Sequence, residues 1–418
     1  MASSRQDEEV QSTNDDAVNS KFSAVKLGYW QDPYIQFFSK FSSAIDRKPP
    51  ELNRGYYARV KGVEYLLKQF LKKTDLKCQV VNLGAGSDTR FWLLSDQNLV
   101  PLKWVELDFE PVVNKKIRII KSKKSLMCKL QANNHDGSSD SIPDVQIKPT
   151  EIHSNIYHIV SCDLRDVCQF KSCIDRCSID CTIPTAFICE CVFIYMDPHS
   201  SSCLVRTISE MFSDIFFINY EQVNMNDRFG EVMLSNLQNR GCALLGVQHC
   251  LNFQTQFDRF LKCGWNGIDG GDMLQIYHGL PQDDVQRIEK IEFLDDIEML
   301  TQLFTHYCIV WAYKHSTKNT TTTTATAAAA TTTTNAVTDF STVTNDISTI
   351  PVSSIAKSIA AATTSATTAV TTNITTSTSL LDDSGHSSSG SGSSSGGVVV
   401  SQLSGKLDFS DISLFIYK

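Results

Sequence analysis

Hydrophobic residues recur at helical spacing between residues 51 and 73. They fall four, three, four and three positions apart, at Tyr56, Val60, Val63, Leu67 and Phe70. This spacing predicts a helix with one buried face. Arg59 lies at the edge of that face, where a guanidinium group is costly to bury without an anionic partner. Residues 21–43, which are rich in aromatic side chains, are predicted to form an N-terminal helical arm.

Beyond this helix the pattern changes to short apolar runs separated by helical stretches. Such alternation predicts βα units and a mostly parallel sheet, the α/β fold class. The predicted strands are residues 79–83, 103–107, 157–161, 186–191 and 215–220. Further segments are expected to extend the sheet at its far edge, namely 242–247, 264–268 and 306–313. An acidic helical stretch with a solvated face is predicted for residues 286–303.

Composition divides the 418-residue chain into unlike parts. Residues 1–20 are polar and partly acidic, with no apolar run typical of a targeting segment, and are predicted to be a disordered N-terminus. Residues 21–315 have the apolar content of one large domain. Residues 316–400 are almost wholly Thr, Ala and Ser, which predicts a disordered insertion. An apolar tail within residues 401–418 is predicted to return to the domain as a terminal strand.

Charge and cysteine content argue against several classes of protein. Lys and Arg number 38 against 46 Asp and Glu, a formal charge of −8, which disfavours a nucleic-acid-binding surface. No segment reaches the roughly 18–20 apolar residues of a membrane span. Cys173, Cys177 and Cys181 lack the paired spacing of a zinc site and have no histidine near them in sequence. We expect free thiols, no bound metal, a cytoplasmic location and a monomer.

A pair of glycines follows the first predicted strand. The string VVNLGAGSDTR places Gly84 and Gly86 at a strand-to-helix turn, where glycine lets the backbone approach a ligand closely. Asp108 ends the next strand, in VELD, where a carboxylate can hold both ribose hydroxyls. Thr89 stands at the third glycine position of the dinucleotide fingerprint. A mononucleoside such as S-adenosylmethionine therefore fits better than NAD.

Two further strand ends supply polar groups. Asp163 and Leu164 follow the third strand, an acid beside an apolar residue, which suits an exocyclic amine and the face of a purine. Glu190 lies within an apolar strand, where a carboxylate that merely faced water would be out of pattern. A helix N-cap for Asp108 and loop chemistry for Asp163 are the structural alternatives. Because the carboxyl ends of parallel strands share one edge of a sheet, we expect these groups to meet around one ligand.

Longer strings resemble one known family. They include RKPPELNRGYYARVKGV, VVNLGAGSDTRFW, NYEQVNMNDRFG and FLDDIEML, within a resemblance that covers about residues 21–315. On these strings the chain resembles the leucine carboxyl methyltransferases. These are class I S-adenosylmethionine-dependent enzymes, with a Rossmann-like fold, that esterify the C-terminal leucine of type 2A protein phosphatase catalytic subunits. The resemblance implies S-adenosylmethionine as the cofactor and the C-terminal tail of that phosphatase subunit as the partner.

The resemblance also implies roles for individual residues. Seven would bind the cofactor: Lys21 and Arg59 at its carboxylate end, Glu190 on the methionine side, Gly84 at the strand turn, Asp108 at the ribose, and Asp163 and Leu164 at the adenine. Arg54 and Tyr195 are candidate catalytic residues that line the substrate pocket. An arginine that caps backbone carbonyls and a core tyrosine are the structural alternatives for these two.

The expected mechanism needs no general base. A C-terminal carboxylate is already ionised at pH 7, far above its pKa of roughly 3.5. The enzyme would align oxygen, carbon and sulfur and exclude water. Three alternatives stay open: a related methyltransferase acting on modified tRNA, a small-molecule O-methyltransferase, and a catalytically inactive module that binds the phosphatase. The acidic charge and the lack of a propeller repeat argue against the first, and intact Gly84, Asp108 and Arg59 argue against the last.

Overall fold

A mostly parallel sheet organises the fold in the computed structural model, which describes residues 5–39, 47–130 and 145–315. Within them the strands are β1 (Gln79–Leu83), β2 (Lys103–Asp108), β3 (Gln146–Ile147), β4 (Glu151–His153), β5 (Tyr157–Ser161), β6 (Thr185–Glu190), β7 (Asp214–Gln222), β8 (Gly267–Asp272) and β9 (Tyr307–His315). Their order in the sheet is β3-β4-β5-β2-β1-β6-β7-β9-β8. The predicted insertion, 316–400, and the predicted terminal strand, 401–418, lie outside the described residues.

Helices cover both faces of this sheet. They are α1 (Arg5–Leu27), α2 (Pro50–Lys73), α3 (Arg90–Asp96), α4 (Glu110–Ser122), α5 (Lys124–Leu130), α6 (Val167–Arg176), α7 (Pro198–Met211), α8 (Arg228–Asn239), α9 (Phe253–Leu261), α10 (Met273–Gly279), α11 (Gln282–Glu289) and α12 (Ile297–Thr305). Val80 of β1 packs in one apolar cluster, and the adjacent Val81 packs in a second one. This is expected of a strand that is buried on both faces of the sheet. Among the described helices, none is both long and apolar enough to cross a bilayer.

The strand order creates a switch point between β1 and β6. From β1 the chain proceeds outward through β2 and β5, which are parallel to it, and it then returns to the other side of β1 as β6 and β7. At the far edge β9 is antiparallel to both β7 and β8. Open α/β sheets bind ligands outside the carboxyl ends of the strands at such a point. The expected doubly wound, Rossmann-like α/β fold is confirmed.

The central elements agree with the sequence pattern. Helix α2 spans Pro50–Lys73, and the five apolar side chains of its predicted face are all buried. Strands β1 and β5 have the predicted bounds, and β2, β6 and β7 differ by one or two residues at their ends. The prediction of a sheet element at 242–247 is wrong, because these residues form no strand. Cys242 and Leu244 are buried in an irregular segment, and a short apolar run does not distinguish such a segment from a strand.

The prediction of a disordered N-terminus at residues 1–20 is also wrong from residue 5 onward, where the described residues begin. Helix α1 begins at Arg5 and ends at Leu27, so the predicted helical arm at 21–43 covers only its last turns. Its buried positions include small and polar residues such as Thr13, Asn14 and Ala17. These side chains give a weak apolar pattern, and α1 is held by packing against α2 and by polar contacts that composition does not reveal.

The acidic stretch at 286–303 was predicted to be one helix with a solvated face, and the structure differs from this prediction. The stretch belongs to two helices, α11 and α12, separated by a loop that buries Glu292. The Glu292 carboxylate accepts hydrogen bonds from Tyr29 Oη at 3.0 Å and Asn53 Nδ2 at 2.8 Å. Arg47 adds an ion pair at 2.8 Å. A buried carboxylate requires such donors, and all three lie far from Glu292 in the sequence.

A buried ion pair links the sheet to the turn after β1. Glu106 of β2 pairs with Lys116 of α4 at 2.5 Å, and both side chains are almost wholly buried. Lys116 also donates to the carbonyl oxygen of Asp88 at 2.8 Å, and Tyr157 Oη donates to Glu106 at 2.8 Å. Burial raises the pKa of Glu106, an effect that Lys116 opposes. Lys116 therefore stabilises both a carboxylate in the core and the backbone of the turn.

We expect Lys116→Met to lower the free energy of unfolding by about 3–5 kcal/mol, because Glu106 loses its counterion. The loss should be larger at pH 8 than at pH 5, since a protonated Glu106 needs no cation. Urea unfolding at the two pH values measures both effects. Exposed Lys121 on the same helix provides the control variant Lys121→Met, which should change stability by less than about 0.5 kcal/mol. An equal loss of unfolding free energy in the two variants would contradict the role of Lys116 as the counterion of Glu106.

Candidate functional site

A cleft opens at the switch point, between the sheet edge and α1. Its larger part, the Asp108 compartment, has a volume of about 640 Å³ and is lined by residues that include Val10, Asp108, Leu164 and Tyr195. Its smaller part, the Arg59 compartment, has a volume of about 380 Å³ and is lined by residues that include Lys21, Arg59, Asp88 and Glu190. Both compartments are lined by Asn14 and Gly84. The two compartments therefore adjoin at the glycine turn.

The glycine turn is shaped by its contact with α1. Gly84 and Gly86 have φ values of 59° and 53°, in the left-handed region that glycine adopts without strain. A Cβ atom on Gly86 would lie 2.5 Å from Asn14 Oδ1. The same Asn14 oxygen accepts a hydrogen bond from the backbone N–H of Ser87 at 2.8 Å. The glycines therefore allow α1 to close directly over the turn.

Backbone groups orient the carboxylate of Asp108. Its Oδ2 accepts from Gly86 N at 2.6 Å and its Oδ1 accepts from Phe109 N at 2.7 Å. Phe109, rather than Asp108, occupies the N-cap position of α4, so the structural alternative for Asp108 does not apply. The carboxylate is buried at the end of β2 and lines the cleft. Asp108 thus lies where the sequence pattern predicted a ribose-binding acid.

Asp163 and Leu164 also line the Asp108 compartment. Leu164 is buried and presents an apolar surface. The carboxylate of Asp163 is paired with Arg165 at 2.7 Å, and Arg165 also pairs with Asp7 of α1 at 2.8 Å. Arg165 therefore connects the loop after β5 to the first turn of α1, across the cleft. This link was not predicted from the sequence, because the polar residues around Asp7 are typical of a disordered segment.

The Arg59 compartment is organised around Glu190 at the end of β6. Glu190 Oε2 pairs with Arg59 Nε at 2.6 Å, and Glu190 Oε1 pairs with Arg90 Nη1 at 2.5 Å. Arg90 Nη1 pairs in addition with Asp88 at 2.6 Å. Burial opposes ionisation of Glu190, but Arg90, Arg59 and Lys21 hold the pKa of its carboxyl well below the usual range. The anionic partner expected for Arg59 is therefore Glu190.

Lys21 approaches the same compartment from α1. Burial lowers the pKa of Lys21 to about 8, with Glu190 and Asp88 opposing that effect and Arg59 and Arg90 reinforcing it. At pH 7 the side chain is still protonated. Three cations, Lys21, Arg59 and Arg90, thus face the two carboxylates of Asp88 and Glu190. A lysine and an arginine in the lining suit a ligand that carries a carboxylate.

The two candidate catalytic residues differ in their positions. Tyr195 lines the Asp108 compartment, and burial raises its pKa well above the ordinary value. Arg54 lines neither compartment. Its Nη2 donates to the carbonyl oxygens of Glu289 and Glu292, at 3.3 and 3.1 Å. The prediction that Arg54 lines the substrate pocket is therefore corrected, because its guanidinium is used to cap the end of α11 and the loop that follows.

Several lining residues were missed from the sequence. They are Asn14 and Asp7 of α1, Asp88 after the glycine turn, and Arg165. Arg90, which pairs with Asp88 and Glu190, was missed as well. Asp88 and Arg90 belong to the VVNLGAGSDTR string and Arg165 follows Leu164, so all three lie next to residues that the sequence had already singled out. The α1 residues gave no such pattern, since their contribution depends on tertiary packing.

The cleft fits S-adenosylmethionine. The Asp108 compartment combines an oriented carboxylate with an apolar wall, as a ribose and a purine require. The Arg59 compartment, which is lined by Lys21 and Arg59, suits the carboxylate of an amino acid. A ligand that joins a nucleoside to an amino acid matches both. This fold and this cleft define a class I S-adenosylmethionine-dependent methyltransferase.

Comparison with known proteins specifies the family. The model of the family described as leucine carboxyl methyltransferase matches residues 2–209, a region that includes α1. Leucine carboxyl methyltransferase 1 of Bos taurus is 45% identical over 308 residues, which covers 74% of this chain and 90% of that protein. The protein of the same name in Schizosaccharomyces pombe is 33% identical over 310 residues, which covers 73% of this chain and 94% of that protein. The chain belongs to the leucine carboxyl methyltransferase family.

Solved structures of other methyltransferases are more distant. A structure of PigF with SAH is 10% identical, with a TM-score of 0.34, and the match covers 63% of this chain and 57% of that one. The S-adenosylmethionine-dependent methyltransferase SibL in its apo form gives 10% identity and a TM-score of 0.32, with the same two coverages.

The pKa of Lys21 generates a prediction for cofactor binding. A ligand carboxylate favours the protonated amine, so Lys21 should contribute to affinity below pH 8 and progressively less above it. At pH 7, Lys21→Gln should weaken binding of S-adenosylhomocysteine about tenfold or more. At pH 9.5 the difference between variant and wild type should largely disappear. Calorimetry over this pH range measures it.

The quantity to compare across pH is the dissociation constant of the variant divided by that of the wild type. This ratio is used because the amino group of the ligand titrates in the same pH range and affects both proteins. Lys26, in the last turn of the same helix, provides the control variant Lys26→Gln. If this ratio for Lys21→Gln stays constant from pH 7 to pH 9.5, the proposed contact between Lys21 and the ligand carboxylate is contradicted.

Proposed function

We propose that this protein transfers the methyl group of S-adenosylmethionine to the α-carboxylate of the C-terminal leucine of the type 2A protein phosphatase catalytic subunit. The family supports the reaction, since relatives in Bos taurus and Schizosaccharomyces pombe are named leucine carboxyl methyltransferase 1. The long strings shared with the phosphatase-modifying enzymes support the choice of substrate. The cytoplasm, a reducing compartment, is the proposed location and suits the 14 free cysteines.

The observation that carries the proposal is that Asp88 and Glu190, the described carboxylates of the Arg59 compartment, are paired with arginines, which makes them poor general bases. Among the described residues that line the cleft, none is histidine. Glu190 is held ionised between two arginines, and its pKa is lowered. Burial keeps the Tyr195 hydroxyl neutral by raising its pKa. An alcohol or phenol substrate needs a base to take its proton, whereas a carboxylate has no proton to lose.

The proposed roles of the residues follow from their positions. Lys21 and Arg59 would hold the carboxylate of S-adenosylmethionine, and Glu190 would orient Arg59 through Nε. Asp108 would accept from the ribose hydroxyls, while Leu164 would pack on the adenine. Asp163 would act at the adenine only in competition with Arg165, which pairs with it at 2.7 Å.

Water exclusion and alignment are the other contributions that the chain would make. S-adenosylmethionine supplies a methyl group on a positively charged sulfur, a good leaving group. Helix α1 covers the cleft with Val10, Asn14 and Val18, which keeps bulk water away from the reacting groups. Val192 and Met196 add an apolar wall beside Tyr195, which suits the side chain of leucine. Charges act more strongly in such a site than in water.

Transfer of labelled methyl groups from S-adenosylmethionine to the phosphatase catalytic subunit tests the proposal. We expect alkali-labile label on the intact subunit and none on a copy that lacks its terminal leucine. Alkali-stable label, or equal label on both copies, would contradict carboxyl esterification of that leucine. If calorimetry shows that the cofactor binds but no label is transferred to either copy of the subunit, the fold assignment stands and the proposed substrate is contradicted.

Arg59 provides the variant that tests the site. Arg59→Ala should lower the rate of methyl transfer about a hundredfold or more, because a charged hydrogen bond to the cofactor is lost and Glu190 loses one of its partners. Lys72→Ala, at an exposed position of the same helix, should leave the rate unchanged. Circular dichroism checks that both variants fold. Wild-type rates for Arg59→Ala at saturating cofactor would contradict its role.

A further inference from the structure

Two histidines and a cysteine meet at the edge of the sheet, outside the cleft. His153 of β4 and His158 of β5 are directly opposite each other in the antiparallel pair, and Cys177 follows the last residue of α6. One ligand atom of each residue lies within 4.8 Å of the ligand atoms of the other two. The sequence predicted no metal site at Cys177, because the cysteines lack paired spacing and no histidine is near them in sequence. The fold brings two histidines to it.

The orientation of His153 is set by a carboxylate. Its Nε2 lies 3.3 Å from Glu151 Oε2, and its Nδ1 lies 3.0 Å from Nδ1 of His158. Glu151 favours the tautomer with the proton on Nε2, which leaves a lone pair on Nδ1 directed at the cluster. Metal-binding histidines are commonly oriented by a carboxylate at the other ring nitrogen. Glu151 has that position here.

His158 and Cys177 supply groups without compensating partners. His158 is 5% exposed, and its buried Nε2 makes no hydrogen bond within the described residues. If Nδ1 of His158 donates to His153, Nε2 keeps an unpaired lone pair, which is costly to bury. The thiol of Cys177 is free and wholly buried. Two imidazole nitrogens and a sulfur are the donor types that zinc prefers.

We propose that His153, His158 and Cys177 bind one Zn²⁺ ion, with water as a fourth ligand. Small side-chain adjustments would bring the nitrogens to about 2.0–2.1 Å and the sulfur to about 2.3 Å from the metal. Binding converts the thiol of Cys177 to a thiolate and releases its proton to solvent. A polar cleft of about 750 Å³, lined by His153 and His158, gives the ion and its water a route in.

The charges around the cluster make the thiolate essential. Lys148 and Arg176 both pair with Glu151, at 2.6 and 2.8 Å. Lys103 donates to the carbonyl oxygen of Cys177 at 3.1 Å. These cations repel a divalent ion that is bound by neutral ligands alone, and they favour the negative sulfur that forms with it. Zn²⁺ affinity should therefore depend strongly on Cys177.

The ion would connect β5 and α6, the two elements on either side of the loop that contains the cleft residues Asp163 and Leu164. Strand β5 leads into Asp163 and Leu164, and α6 begins three residues after Leu164. Zn²⁺ would tie the start of β5 to the end of α6, on the side remote from that loop. The proposed role is structural, so the metal would stabilise the fold without taking part in methyl transfer.

Metal binding by the full-length protein tests the inference without any activity assay. The protein is purified under reducing conditions, stripped with a chelator and titrated with Zn²⁺ against a chromogenic competitor. Co²⁺ serves as a second probe, because a thiolate ligand gives it a charge-transfer absorption in the near ultraviolet. We expect one Zn²⁺ per chain at this site. Saturating Zn²⁺ should raise the melting temperature by about 5 °C.

Three variants and one control identify the ligands. Cys177→Ser should abolish the charge-transfer band and weaken Zn²⁺ binding at least about a hundredfold. His158→Gln should weaken Zn²⁺ binding as well, and His153→Gln, at a half-buried position, does so with less risk to folding. Cys168→Ser, at an exposed position in the first turn of α6, should change neither property. Absence of Zn²⁺ binding at micromolar concentrations, or unchanged binding in Cys177→Ser and His153→Gln, would overturn the proposal.

Discussion

A carboxylate held between two guanidinium groups is the interaction on which the rest of the site depends. Glu190 at the end of β6 binds Arg59 of α2 through one oxygen and Arg90 of α3 through the other. These charges are buried, so each would be costly without the others. The three side chains come from elements on both sides of the switch point. Their pairing therefore fixes how α2 and α3 approach the sheet, and it also directs cations at the cleft.

Helix α1 converts this charged edge into an enclosed site. Asn14 contacts the glycine turn, Lys21 adds a third cation, and Asp7 pairs with Arg165 on the far side of the cleft. Without this helix the same charges would face solvent, where ion pairs contribute little. Enclosure strengthens them and excludes water from the reaction. A match of the family model from residue 2 onward is consistent with a site that needs α1.

The cleft and the histidine–cysteine cluster show two uses of buried polar groups in one sheet. In the cleft the carboxylates are paired with cations or backbone N–H groups, and Lys21 and Arg59 line the compartment that suits a ligand carboxylate. At the edge near β4 and β5, one buried imidazole nitrogen has no hydrogen bond within the described residues. Buried polar groups are normally satisfied. This unpaired nitrogen belongs to a cluster with a second imidazole and a buried thiol, and that cluster is the reason to assign a metal ion to the second place.

The sequence by itself determined the parallel core, helix α2 and the positions of Asp108, Leu164 and Glu190 at strand ends, because period-2 and period-3.6 patterns are local properties. It also indicated an anionic partner for Arg59, since the helix face buries that residue. Only the tertiary structure decided which anion that is, that Arg54 caps backbone carbonyls, and that residues 5–20 form part of α1. It alone brought His153 and His158 to Cys177. These outcomes depend on contacts between residues that are distant in the chain, and no local pattern encodes them.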